Sequence, residues 1–126
     1  MKYLLDTTLL IDHAHGRPEA LALVEWLFSQ TNDLYTCDVI VAEALSRGDR
    51  AEVAAITALI DALEYVSTSP DAARRAGDDR RQRSVTSHRS LPDAIIAGVA
   101  WSLDLTVVTR NAKDFEKLSV PVLAYT

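Results

Sequence analysis

The chain has 126 residues, 48% of them hydrophobic and 25% charged, with a formal net charge of −5 at pH 7. That length predicts one domain able to bury roughly two-thirds of its unfolded surface, with the balance of an ordinary soluble globular protein. A single cysteine, Cys37, excludes an intrachain disulfide and a cysteine-rich zinc site; no apolar run is long enough to span a bilayer, and Asp6 and Asp12 interrupt any apolar signal region, so a cytoplasmic protein with no membrane partner is the expectation.

Lys2–Leu5 reads as a short strand with an apolar centre, closed by Asp6. A helix follows from about Thr8 to His13, and Gly16 ends it. Arg17-Pro18-Glu19 opens a second helix to about Gln30, since Pro18 suits a first turn whose N–H has no helical partner anyway. Leu23, Trp26 and Leu27 recur at helical spacing, so one broad face is apolar. Core packing is the first reading of Trp26, and of Trp101 further on, with a partner groove as the second reading for Trp26. Thr31-Asn32-Asp33 reads as a turn. Leu34–Cys37 is a second strand, bounded by turn residues, with Cys37 a small core residue. Asp38 is placed to cap a helix over Val39–Arg47, which Gly48 stops.

Ala51–Leu63 predicts another helix, with Val53, Ile56, Ile60 and Leu63 on one stripe. Glu64–Ser67 reads as a brief strand. Ser69-Pro70-Asp71 starts a long Ala- and Arg-rich helix to about Gln82, followed by a loop over Val85–Arg89. Ser90-Leu91-Pro92-Asp93 opens an apolar helix to about Leu103. Leu105–Thr109 is the clearest strand, β-branched and apolar; Asn111–Phe115 makes a helical turn and Val120–Ala124 a last strand. Strands separated by helices predict an α/β fold, a mostly parallel central sheet of four to five strands flanked by helices on both faces. With no linker or repeat, one domain spans residues 1–126.

Four acids sit where this fold gathers ligands. Asp6 follows the first strand, Glu43 lies one helical turn past the second, Asp93 opens the helix feeding the fourth, and Asp114 follows the fourth. In a parallel sheet the carboxyl ends of the strands share one edge, where ligands bind, so all four converge on one crevice. Each also has a structural explanation. Asp6 sits at a cap position, Asp114 lies three residues after Asn111, another cap candidate, and Ser90-x-x-Asp93 has the spacing of a capping box. Glu43 lies too far into its helix to cap, so it is either on a solvated stripe or partly buried with a partner. Two carboxylates about 4 Å apart repel by roughly 4 kcal/mol at an effective dielectric near 20, so four together require a cation or raised pKa values. Oxygen-only ligation selects Mg²⁺ or Mn²⁺. The H-x-H pair His13 and His15 is a weak metal signal beside this.

These residues resemble the PIN-domain nucleases, in particular their VapC-type toxins, over nearly the whole chain. LLDTTLLID is similar to the first family motif, VIVAEAL to the second, and SLPDAIIAGVAWSLDLTVVTRNAKDF to the third and fourth together. Thr8 stands where Asn or Ser is frequent, and Cys37-Asp38 replaces a simpler hydroxyl-bearing approach to the second motif; neither change removes an acid. The resemblance implies an acidic quartet of Asp6, Glu43, Asp93 and Asp114. Asp6 and Asp93 would be direct metal ligands, and Glu43 and Asp114 would act through water. Thr109 and Asn111 would support the site, or else serve as cap and turn residues. Arg80 and Arg83 belong to an Arg-rich stretch, Arg74–Arg89, that would either meet RNA phosphates or form a solvated face; an uneven charge distribution lets an acidic protein bind a polyanion.

The implied activity is metal-dependent endonucleolytic hydrolysis of RNA, by water activated at Mg²⁺ or Mn²⁺. The implied partners are RNA, a cognate antitoxin and a second copy of the chain in a homodimer. The alternative is a catalytically silent PIN-fold module that binds RNA. A phosphate-accepting receiver domain is disfavoured, because Asp6 has no adjacent acid and Arg110 rather than Lys follows the late strand. An aspartate-nucleophile phosphatase is disfavoured because Asp6-Thr7-Thr8 lacks the second acid of Asp-x-Asp.

Overall fold

The computed structural model describes residues 1–30, 33–83 and 91–126, with the backbone alone at Arg83. Thr31 and Asn32 of the expected turn, the Val85–Arg89 loop, the Ser90 cap and the Arg83 side chain lie outside the described residues. In chain order the elements are β1 (Lys2–Leu5), α1 (Thr7–Ala14), α2 (Pro18–Ser29), β2 (Asp33–Cys37), α3 (Asp38–Ala44), α4 (Arg50–Asp61), β3 (Glu64–Val66), α5 (Pro70–Arg83), α6 (Leu91–Leu103), β4 (Thr106–Thr109), a 3₁₀ turn (Ala112–Asp114) and β5 (Val122–Ala124).

The strands form one sheet in the order β3-β2-β1-β4-β5. Every pairing among them is parallel, so the mostly parallel sheet expected from sequence is wholly parallel among the described residues. Parallel strands covered by helices read as continuous apolar runs, because neither face meets water. Tyr3, Leu4 and Leu5 of β1 and Val107 and Val108 of β4 are all buried. The chain grows outward from β1 in one direction through β2 and β3, then crosses back through α5 and α6 to lay β4 on the other side of β1. The order therefore reverses between β1 and β4, and that reversal opens a crevice outside their carboxyl ends. No described helix is long and apolar enough to cross a membrane.

Several local expectations give way to packing. The helix expected over Val39–Arg47 ends at Ala44, where the Leu45 N–H still bonds Val41 O and Ser46 turns its hydroxyl onto Glu43 O. Asp38 does not cap it from outside. It is the first helical residue, and its carboxylate accepts from Val39 N, Thr68 N and Thr68 Oγ1 (3.0, 3.1 and 2.7 Å), tying α3 to the segment after β3. Those hydrogen bonds hold its pKa below the usual value against the opposing effect of burial. The true cap nearby is Asp49, which accepts from Glu52 N at 2.8 Å and starts α4 one residue before the expected Ala51.

Neither tryptophan is in the core. On α2 the buried stripe is Ala20, Val24 and Leu27; Trp26 lies off it and is 47% exposed. Trp101 is 46% exposed near the end of α6 and lies under the Arg75 guanidinium, 4.4 Å from its ring centre. Arg75 also pairs with Asp79, and Arg81 with Asp78, so part of the basic stretch is neutralised within α5. Cys37 is fully buried as expected. The α4 stripe packs inward through Ile56, Leu59 and Leu63, while Val53 and Ile60 are half-buried.

Candidate active site

The site is built on the step from β1 into α1. The Asp6 N–H bonds Val108 O at 3.0 Å, extending the β1–β4 ladder by one residue past the strand. Asp6 thereby sits at the strand-order reversal, with its residue only 4% exposed. It occupies the N-cap position of α1 but makes no side-chain cap bond there. Instead, Oδ2 accepts the Thr109 hydroxyl at 2.7 Å, with the Thr8 hydroxyl at 3.4 Å. Thr109 is itself buried at the end of β4 and accepts from Asn111 N at 3.0 Å. The Thr8 and Thr109 hydroxyls stand 3.3 Å apart, so both face the same oxygen of Asp6.

Burial pushes the Asp6 carboxyl up to about 6, with the Thr109 hydroxyl and the Thr7 amide pulling it down and the charges of Asp93 and Glu43 pushing it further up. Desolvation is the leading cause, as expected for a carboxylate taken out of water. Those two charges place Asp93 and Glu43 in the electrostatic neighbourhood of Asp6. Glu43, half-buried in the last turn of α3, has the partner its apolar surroundings demand: the Thr7 hydroxyl donates to Oε1 at 2.9 Å. Adjacent threonines in the first turn of α1 therefore hold two acids, Thr7 gripping Glu43 and Thr8 facing Asp6.

Asp93 stands in the first turn of α6 and is half-buried. Asp114 ends the 3₁₀ turn after β4 and is also half-buried. Asn111 opens that turn without a side-chain cap bond. Among the described residues no three acids, histidines or cysteines already stand close enough together to grip an ion. Asp6, Glu43 and Asp93 are thus brought into one electrostatic group, with Asp114 on the adjoining turn. Arg80 is exposed on α5. His15 pairs with Glu52 at 3.0 Å, and burial lowers the His13 pKa.

A second polar group beside the site was not singled out from sequence. Asp12 is buried one turn after Thr8 on the same face of α1. Its Oδ2 accepts the Tyr125 hydroxyl at 2.7 Å and meets Arg110 Nη1 at 3.3 Å and Arg17 Nη1 at 3.5 Å. Burial first, then Asp12, raises the Tyr125 pKa, while contact with the Thr8 side chain lowers it, so Tyr125 lies between the two polar groups. The readable signal was an acid four residues after Thr8, on the stripe that turns toward β4.

A family model described as the PIN domain matches residues 3–121. Ribonuclease VapC19 of Mycobacterium tuberculosis is 32% identical over 115 residues, covering 89% of this chain and 90% of that protein. Among solved structures, VapBC2 from Rickettsia felis bound to a promoter DNA fragment superposes with a TM-score of 0.84 at 19% identity, each chain covered in full. A toxin–antitoxin complex from Klebsiella pneumoniae gives 0.77 at 26% identity, covering 97% of this chain and 96% of that one. A domain model spanning almost the whole sequence and a VapC relative 32% identical over 89% of the chain lead to one assignment: the chain belongs to the PIN-domain family, as a VapC-type nuclease.

Proposed function

We propose that the chain is an Mg²⁺- or Mn²⁺-dependent endoribonuclease, the toxin of a toxin–antitoxin pair. The observation that carries this reading is Asp6: a nearly inaccessible carboxyl at the strand-order reversal, raised to about 6, with two further acids acting on it. An all-oxygen set of this kind fits a hard cation, whose charge relieves the burial and repulsion that disfavour ionisation. Asp6 and Asp93 would hold the ion directly, and Glu43 and Asp114 through water.

A bound Mg²⁺ supplies positive charge that acidifies water and stabilises the charge developing on phosphorus. The protein's own part is orientation. Thr109 fixes the rotamer of Asp6, and Thr7 fixes that of Glu43, so the acids are held before substrate arrives. Water adds to phosphorus, the phosphorus–oxygen bond on the far side breaks, and the departing oxygen takes up a proton. No covalent protein intermediate is needed. The related ribonuclease VapC19 supports RNA as the substrate.

The test is incubation of purified protein with structured RNA and Mg²⁺ or Mn²⁺, with and without chelator, beside Asp93→Asn. Cleavage that needs the metal and is lost in the variant supports the reading. Equal cleavage by the variant reveals a contaminant and overturns it. RNA binding without metal-dependent cleavage favours the catalytically silent module instead.

Two protein partners belong to the same proposal. The neighbouring toxin–antitoxin structure from Klebsiella pneumoniae supports a cognate antitoxin, and Leu21, Trp26 and Phe28 leave exposed apolar surface on α2 to receive it. Homodimerisation rests on family likeness, and light scattering of the purified chain alone and with the adjacent gene's product tests both.

A further inference from the structure

We infer that Arg110 binds a phosphate of the RNA strand next to the one being cut, and that buried Asp12 is the residue that positions it. This rests on the RNA-cleaving reading of the site.

Arg110 directly follows Thr109, whose hydroxyl holds Asp6. The Arg110 backbone N–H donates to Thr8 Oγ1 at 3.3 Å, so its main chain is fastened to the same hydroxyl group that faces Asp6. Its side chain then folds over α1 to Asp12, one helical turn, about 5 Å, beyond Thr8. The guanidinium is therefore fixed from both ends at the rim of the acidic crevice.

Charge distinguishes this arginine from a structural tie. Asp12 is a single carboxylate with its side chain 5% exposed, yet two arginines share it. Arg17 has further partners, with Glu19 at 4.0 Å and a bond to Thr126 O at 3.4 Å. Among the described residues Arg110 has Asp12 alone as an ion-pair partner, at 3.3 Å, and its side chain is 39% exposed. Half of one buried negative charge does not match a guanidinium, and no other described residue pairs with it, which leaves N–H donors to meet a planar phosphate oxygen pair. The Tyr125 hydroxyl, donating to the same Oδ2, keeps that carboxylate from turning away. A nuclease whose crevice is lined with acids needs a cation outside the metal position to hold a polyanion in register, and phosphate contacts do that positioning.

The experiment measures binding of a 5′-fluorescein single-stranded RNA of about 20 mixed nucleotides, in chelator so that none is cut, at several NaCl concentrations. One lost phosphate contact reduces the slope of log affinity against log salt by about 0.7 on a single strand. Arg110→Gln is expected to weaken binding several-fold and flatten the slope by that amount, with an unchanged unfolding midpoint. Arg110→Lys is expected to keep the slope, and Arg17→Gln to leave it as in the parent. Asp12→Asn is expected to flatten it as Arg110→Gln does, and adding Arg110→Gln to Asp12→Asn is expected to change nothing more, the non-additivity of two residues acting as one. An unchanged slope in Arg110→Gln overturns the inference, as does an equal loss in Arg17→Gln, which would mean diffuse charge alone. If the parent protein binds no RNA in chelator, this inference falls, while the ribonuclease reading falls only if metal-dependent cleavage is also absent. If the parent binds while Arg110→Gln matches it, only this inference falls.

Discussion

The Thr109 hydroxyl stands 2.7 Å from Oδ2 of Asp6, joining residues 103 positions apart in the chain. The bond closes the gap between β1 and β4 and aims the central carboxyl of the site. Thr109→Val keeps the shape and removes the donor. We expect it to lower stability by about 1–3 kcal/mol, since a buried acceptor loses its partner, and to cut metal-dependent cleavage at least tenfold. Thr109→Ser is expected to retain most of both. Denaturant midpoints beside single-turnover cleavage separate the two effects.

Asp6 makes the metal-free protein sensitive to pH. Its folded-state pKa of about 6 lies above the ordinary carboxyl value of 3.8. The native state thus holds this proton more tightly than the unfolded chain does. The resulting stabilisation is present below the unfolded value and is lost as pH rises through 6, on the order of 3 kcal/mol. In chelator, Asp6→Asn is expected to match the parent near pH 4 and to exceed it in stability at pH 7.5. Adding Mg²⁺ or Mn²⁺ at pH 7.5 is expected to raise the melting temperature of the parent and not of the variant. A parent-to-variant gap that stays constant with pH would count against a strained Asp6.

Two helical glycines are expected to respond in opposite senses to alanine. A Cβ on Gly98 would sit against the Ala72 carbonyl oxygen, because α5 and α6 approach closely there. Backbone cannot move aside as a side-chain tip can, so Gly98→Ala is expected to cost roughly 1–3 kcal/mol. A Cβ on Gly77 meets nothing within 4 Å, so Gly77→Ala is expected to add about 0.5–1 kcal/mol through helix propensity. Urea titrations of the two variants check both signs.

Cys37 is fully buried, and burial pushes its thiol up to about 11. The thiolate is the nucleophile, so iodoacetamide at pH 8 is expected to leave the folded protein unmodified and to label it once urea unfolds it. Rapid labelling of the native protein, read by mass spectrometry, would show that the β2–α3 junction opens.

The sequence by itself determined the strands and helices, because apolar runs of four or five residues alternating with helical stripes admit little but a parallel sheet. It also singled out Asp6, Glu43, Asp93 and Asp114 as candidates for one crevice, and the charges of Asp93 and Glu43 do act on Asp6. Local patterning does not carry side-chain partners. Asp6 and Asp38 both read as helix caps, yet Asp6 stands at the cap without a side-chain cap bond and Asp38 lies inside its helix, since Thr109 and Thr68 offer hydroxyls from elsewhere in the fold. Trp26 and Trp101 read as core, yet the buried stripes had already been filled by smaller residues. Asp12 stood in the sequence only as an acid four residues after Thr8, and nothing local joined it to Arg110: their ion pair spans most of the chain, and only the β1–β4 pairing brings α1 under the end of β4. Tertiary structure decided those contacts because sheet order, unlike hydrophobic period, is set by which strands finally lie side by side.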